Sequence, residues 1–597
     1  MRIMKKKTKN NKQKFNTFLW YSLTAFLAVF ILATIIRVGT IDINKPLAYI
    51  GDANFYNVMA NGLFENEWLF ENSRLGAPFG ANFSDITDLS LSSFHWIILK
   101  IFSFFTSNSF LAMNLYWFLS FPLTALTCFI FFRNLKIHNA LGLAGSLLYT
   151  FLSYKFIIFT HHFTLTIFTF LPLIFLVFLW ILRGDVFTHK SLLKNKKLLL
   201  SIPIIIIGSM QNGYHTFFIL LTIFCVAFIL LIRNKHYIQT LKLVSIYILL
   251  IMFAVFIQLM PKISHNLSSG PNTSESLIKT PIHADIYGLK IRQLLSPTNN
   301  HQNQTLREAK EIMNKNTYPI TEGGSSSMGI VSSIGFIILL VWIFIPKKLK
   351  SDPKLQEDSE LITKFSLLNY SLLLIATSGG VGTLIAYIFP DIRTYSRMSI
   401  FITFFSLTTI LFIIDRWTKK ISSKTPQNIF FKNITFFIAA IIIIIGVWDQ
   451  TPLSISNNIK VSQISFDNDV KFFEQLEKSI PTGSMVYQLP YMIFPESEPI
   501  ENMGDYEHFR AYLQTKHIKW SYSSIKGREG DTWNKSLIDL DPPEFIEELK
   551  EKGFNGLYIN KRGYKNYGKD IENIYTKLLD KEPARNYNDT LIFFDIT

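Results

Sequence analysis

Residues 49–72, YIGDANFYNVMANGLFENEWLFEN, and residues 75–90, LGAPFGANFSDITDLS, decide how this chain is read. Asp42, Asp52, Asp85 and Asp88, with Glu65, Glu67 and Glu71, gather there directly after a long apolar run. Acidic side chains packed behind a greasy segment belong to a loop lying just above a membrane plane. Asp52 follows Gly51 and opens an amphipathic stretch whose Phe55, Met59, Leu63 and Trp68 suit a helix in the interface. Gly76, Pro78 and Gly80 form a tight loop that feeds Asp85 and Asp88. Those two are three residues apart, so a helical turn would set both carboxylates on one face.

Working outward, the N-terminus MRIMKKKTKNNKQKF is strongly basic and precedes an apolar run at 17–36. That run can cross roughly 30 Å of hydrocarbon. It lacks a small-residue cleavage site and reads as an uncleaved anchor. Further apolar runs lie near 110–132, 138–158, 163–182, 198–210, 215–232, 242–260, 328–345, 364–378, 397–414 and 432–448. With the first, they predict a polytopic α-helical membrane protein of about eleven transmembrane helices.

With the N-terminus in the cytoplasm, the loops at 133–136, 183–197, 233–242, 347–354 and 416–432 fall on that side, and each is rich in Lys or Arg. Residues 89–105 and 383–390 are then taken not to cross. Membrane domain 1–450 carries outer loops 38–88 and 261–327, and 451–597 forms a soluble extracytoplasmic domain. The expected location is the inner or plasma membrane.

Composition agrees. Of 597 residues 49% are hydrophobic and 17% charged, against about 25% charged in average soluble proteins. The net charge of +16 divides unevenly. Residues 451–597 hold 18 Lys and Arg against 23 Asp and Glu, a net of −5, which leaves +21 for the hydrophobic part. A basic excess lodged in membrane loops points to a lipid bilayer as partner, not to nucleic acid. Cys128 and Cys225 lie inside apolar runs and imply no disulfide framework.

Residues 451–597 read as a small α/β domain. SMVYQLP (484–490), FNGLYIN (554–560) and TLIFFDI (590–596) are strands. PPEFIEELKEKG (542–553) and the stretch 569–579 are helices.

Carboxylates above a membrane can strip a proton from a hydroxyl, bind a divalent metal or cap a helix. Asp52, Asp85 and Asp88 each precede a helical stretch, so capping stays open for all three. No DxD pair occurs among them.

A cytoplasmic N-terminus, a first span and a long outer loop with an early Asp resemble the GT-C superfamily, multi-spanning glycosyltransferases that use a polyprenyl-phosphate-linked sugar donor. GDANFY (51–56), APFGANFSD (77–85), LYWFLSFPLTAL (115–126) and IRTYSRMSIF (392–401) are similar to a bacterial group of membrane glycosyltransferase-like proteins. So are QLPYMIFPE (488–496), MGDYEHFRAYL (503–513) and WSYSSIKGRE (520–529). The resemblance implies a GT-C-like fold and an inverting transfer of the sugar to a hydroxyl of an extracytoplasmic glycan, lipid or protein. It makes Asp52 the catalytic base, with Asp85 or Asp88 as orienting or metal-binding partner. A divalent metal, Mg or Mn, is left open as cofactor.

A lipid phosphate needs cations at the outer edge, and Arg suits it. Arg393 and Arg397 stand there against the usual charge bias, although snorkelling or pairing with Asp391 would also explain them. His161 and His162, in KFIIFTHHF, are further substrate-binding candidates, or simply a helix end. Glu322, in TYPITEGGSSSMG, and Tyr56, in GDANFY, complete the set. Gln211, Asn212, Tyr214 and His215 make a polar turn able to take a sugar. Two other functions compete: a transporter or flippase of lipid-linked saccharide, and a non-catalytic envelope-assembly protein. Transporters place ionisable groups near the midplane, whereas here the polar residues cluster at one face.

Overall fold

The computed structural model describes residues 2–597 except 66–67, 160, 188–194, 234–236, 275–278, 317–320, 346–351 and 425–428. Glu67 and parts of four of the five basic loops lie outside the described residues. Among the described residues seven helices are long and apolar enough to cross a membrane. They are Lys14–Thr40, Ser109–Asn134, Asn139–Phe159, Gly213–Arg233, Tyr237–Ser269, Tyr395–Lys424 and Asn433–Gln450.

The other four expected crossings are helical but differ in length. Residues 163–182 are broken into Phe163–Thr166 and Leu171–Arg183, the second restarting with Pro172 in its first turn. Lys196–Gly208 has 13 residues and Gly329–Trp342 has 14. Helices of that size rise about 20 Å, short of the roughly 30 Å hydrocarbon layer. The run at 364–378 lies mostly within Pro353–Ala376, whose first half is polar. The two stretches set aside from the count hold, besides the end of Thr87–Ser90, the helices Ser93–Phe102 and Val381–Ala386, 10 and 6 residues long.

Aromatic interlock holds the helices together. The Phe175 and Phe404 rings stand 4.4 Å apart and Phe131 and Phe404 4.7 Å, inside one buried cluster. Gly335 lets its helix lie against Ser399–Lys424, because a Cβ there would fall 2.0 Å from the Ser406 carbonyl oxygen. At one end of this bundle the basic loops interlock. Arg183 donates to the Asn134 carbonyl, Lys364 to that of Leu182 and Lys419 to that of Lys136.

At the opposite end sit the first long loop, the loop at 261–327 and the sheet-bearing stretch after Gln450. The first loop folds as the helix Asp52–Phe64 and a hairpin of β1 (Glu71–Asn72) and β2 (Ala81–Asn82). The main sheet contains β3 (Met485–Leu489), β4 (Lys519–Trp520), β5 (Phe554–Asn560), β6 (Ala584–Arg585) and β7 (Leu591–Asp595), in the order β4-β3-β5-β7-β6. β3 runs parallel to β4 and β5, while β7 is antiparallel to β5 and β6. The helices Ile455–Ser479, Pro542–Glu551 and Lys569–Leu579 accompany it.

The free edge of β4 is covered by the first loop. Trp520 donates its N–H to the Arg74 carbonyl at 2.8 Å, Ala77 to that of Trp520 at 3.0 Å, and Gly76 to that of Tyr522 at 2.8 Å. This disposes of an exposed sheet edge. It also makes the two stretches one packing unit, with Val58, Leu63 and Phe83 sharing a buried cluster with Phe473, Phe494 and Trp520.

Candidate functional site

Gly51, at φ +50°, turns the chain into the helix Asp52–Phe64, so Asp52 occupies the first helical position. No side-chain bond caps this helix. The carboxylate is thus available, and a negative charge in the first turn is favoured by the helix dipole. Tyr56 lies one turn further along. Its ring stacks on Trp96 at 6.2 Å and meets His162 edge-on at 6.5 Å.

His162 stands between two carboxylates. Its Nδ1 is 3.7 Å from Asp52 Oδ2, and its Nε2 is 3.5 Å from Glu322 Oε1. Glu322 in turn accepts two hydrogen bonds from Arg397, Nε at 2.9 Å and Nη2 at 2.8 Å. The Arg397 guanidinium also lies 4.3 Å over the Tyr214 ring and is buried. Burial works to raise the Glu322 carboxyl, but the Arg397 charge and the His162 contact prevail and hold it well below the usual carboxylate range. Burial pushes the Tyr56 hydroxyl far above its ordinary value, so it stays a neutral donor.

The structure therefore joins Asp52, Tyr56, His162, Glu322 and Arg397 into one array. His161 is adjacent. Burial, opposed by the Asp52 charge, keeps its imidazole below the ordinary value. It lines a cavity of about 160 Å³ with Trp117, Phe159, Asn299 and Ser454. Asp88 lies in the short helix Thr87–Ser90 and its charge reaches Tyr56. Gly213 opens the next polar turn beside Asp88, with 3.8 Å from the place of a Cβ to Asp88 Oδ1.

Three expectations are corrected by the geometry. Asp85 and Asp88 do not share a helical face, because the helix begins at Thr87 and leaves Asp85 outside it. Asp85 also neither caps that helix nor turns to Asp52. Its carboxylate takes two bonds from Arg528, both at 2.8 Å, and one from Asn272 at 3.1 Å. Those bonds outweigh burial and lower its pKa. Arg397 does not offer its Nε–Nη2 edge to a phosphate, since Glu322 occupies that edge.

Arg393, by contrast, remains partly exposed and reaches Glu496 Oε1 at 3.3 Å. Lys279 bonds both Glu496 oxygens at 2.7 Å. Sequence reading passed over Lys279 and Glu496, which look like ordinary loop charges. Asp505 also went unmarked, although MGDYEHFRAYL was noted. Burial and then the Asp52 charge raise its carboxyl to about 7. Among the described residues no three His, Cys, Asp or Glu side chains are grouped to hold a metal ion. The Glu322 carboxylate already accepts two hydrogen bonds from Arg397.

No protein-family model matches the sequence, and no curated protein matches it. The solved structure of ArnT from Cupriavidus metallidurans bound to undecaprenyl phosphate does match, at a TM-score of 0.52 and 10% identity, over 97% of this chain and 98% of that one. The apo state of the same protein matches at 0.50 and 10%, over 96% and 98%. The likeness covers nearly all of both chains. This chain therefore shares the fold of ArnT.

Proposed function

We propose that the protein is an integral-membrane glycosyltransferase of GT-C type. It transfers a sugar from a polyprenyl-phosphate-linked donor to a hydroxyl of a glycan, lipid or protein outside the cytoplasm. The observation that carries this reading is the Asp52–His162–Glu322–Arg397 array at the loop-bearing end of the bundle. ArnT, of the same fold, was solved with a polyprenyl phosphate bound. The N-terminus and basic loops face the cytoplasm, following the positive-inside bias.

Asp52 accepts the proton of the acceptor hydroxyl as its oxygen attacks the anomeric carbon. The bond from that carbon to the phosphate oxygen breaks on the opposite face, and its electron pair leaves with the lipid phosphate. Configuration inverts. His162 orients the Asp52 carboxylate, Glu322 orients His162, and Arg397 fixes Glu322. Arg393 stands ready for the donor phosphate, with His161, Asp88 and Tyr56 around the sugar. Asp85 braces the loop from behind.

A radiolabelled-sugar transfer assay in membranes tests this. Asp52→Asn should lower transfer by about 10²–10⁴-fold with expression and melting temperature unchanged. Full activity in that variant would remove Asp52 as the base.

A further inference from the structure

The cavity of about 160 Å³ beside His161 lies at a seam between three parts of the chain. Trp117 and Phe159 reach it from two spans, Asn299 and Asn300 from the outer loop, and Ser454 and Asn458 from the chain leaving the last span. The seam is stapled. Asn300 accepts the Leu453 N–H at its carbonyl at 2.8 Å, and its Nδ2 donates to Ser454 Oγ at 3.2 Å. Gln302 Nε2 donates to the Thr451 carbonyl at 3.3 Å. The Trp117 and Phe159 rings stack at 4.1 Å and give the cavity a firm apolar wall.

The polar part of the lining is amide and hydroxyl. The Asn458 side chain bonds to no described residue, and Asn300 uses only its Nδ2. Both residues are exposed, so the cavity opens to solvent on their side. Among the described residues no Lys, Arg, Asp or Glu lines it. His161 is ionisable, but burial keeps its imidazole below the ordinary value and therefore neutral near pH 7.

Size and charge together select the occupant. A cavity of about 150 Å³ takes one six-membered ring. A hydroxyl-bearing ring can use the aromatic wall and the amides at once. An anion finds no counter-charge here, and burying it unpaired is costly. The phosphate-bearing donor therefore belongs elsewhere, and the acceptor fits. His161 precedes His162, whose Nδ1 is 3.7 Å from Asp52 Oδ2, and the Asp52 charge reaches His161 itself. A ring held in the cavity thus stands on the side of the base.

We propose that this cavity receives one uncharged sugar ring, the end unit of the acceptor, and that Asn299, Asn300 and Asn458 read its hydroxyls. The idea rests on the transfer reaction proposed above and narrows its acceptor to a neutral saccharide. A phosphorylated or carboxylated sugar is refused.

The test uses the full-length protein in phosphatidylcholine nanodiscs and saturation-transfer NMR. The probes are the methyl glycosides of glucose, galactose and N-acetylglucosamine, with methyl glucuronide and methyl galacturonide as charged counterparts. At least one neutral glycoside should bind, and at least about tenfold more tightly than the uronides. Asn299→Leu should weaken that binding about tenfold, the worth of one hydrogen bond. Asn458→Trp, at an exposed helix position, should fill the cavity and abolish binding at an unchanged melting temperature. Asn458→Gln should retain it. Uronides that bind as well as neutral sugars overturn the proposal, and so does the absence of any neutral binding. Unaltered binding by Asn458→Trp also overturns it, and decides alone should Asn299→Leu fail to fold. The radiolabelled transfer assay keeps the two readings apart. The expected binding pattern in a protein without transfer removes the glycosyltransferase reading and leaves a sugar site. Transfer without that binding removes only the role of the cavity.

Discussion

Glu322 and Arg397, 75 positions apart, form a two-point ion pair at 2.8 and 2.9 Å, with Arg397 only 5% exposed. The pair stands directly behind His162, and through it behind Asp52. The buried Arg397 charge is thus neutralised within the protein by Glu322.

Removing one half of this pair should be worse than removing both. Glu322→Gln leaves a buried guanidinium without its counter-charge, at about 3 kcal/mol. Glu322→Gln combined with Arg397→Gln should recover part of the loss, a coupling typical of touching partners. Thermal unfolding of the two variants in detergent measures it. Transfer should fall at least about tenfold in Glu322→Gln as the array loosens.

Asp505 predicts a pH dependence. Its carboxyl rises from 3.8 to about 7 in the folded protein, through burial and then the Asp52 charge. Between those values the native state binds more protons than the unfolded one. This contribution to stability is therefore complete below about pH 3.8 and lost as pH climbs through about 7. Asp505→Asn should melt higher than wild type at pH 8, with the advantage shrinking toward pH 5. Melting curves that differ equally at both pH values would remove this role.

The brace between the first loop and the sheet is also measurable. Asp85 has a side chain 3% exposed and its partner Arg528 one of 22%. Stranding the deeper charge costs more, so Arg528→Gln should destabilise more than Asp85→Asn, by about 3 against about 1–2 kcal/mol. Chemical unfolding with limited proteolysis of the first loop reads both.

What the sequence disclosed follows from where its information is local. Every apolar run proved helical, because composition alone drives that outcome. Their lengths did not follow, since Pro172 restarts a helix inside the run at 163–182 and Asn195 caps the start of Lys196–Gly208 in the basic loop before the next run. Strands with five or more residues, such as 554–560, were legible from composition, but β4 and β6 have two residues each and carry no pattern. The 25-residue helix Ile455–Ser479 is polar and offered no apolar run to notice. At the site, Asp52, His162, Glu322 and Arg397 could each be picked out beside a span. Their pairing could not, because the contacts join residues far apart in sequence, and Lys279 and Glu496 resemble any loop charge.

Gly76 offers the sharpest test of how the first loop is attached. It sits at φ +66°, a conformation costly for any residue with a Cβ, and its N–H bonds the Tyr522 carbonyl on the edge of the sheet. A Cβ there would lie 2.9 Å from the Gly80 carbonyl oxygen, which belongs to the same tight loop and cannot retreat. Gly76→Ala should therefore cost about 1–3 kcal/mol and lift the loop from β4. The loop carries Asp85 and Asp88, and its hairpin packs against the Asp52 helix, so transfer should fall together with amide protection at Ala77 and Trp520. Gly39→Ala, on the same side of the bundle with nothing within 4 Å of its Cβ position, is the control and should change neither. Equal behaviour of the two variants in hydrogen exchange would show that the sheet edge does not position the loop.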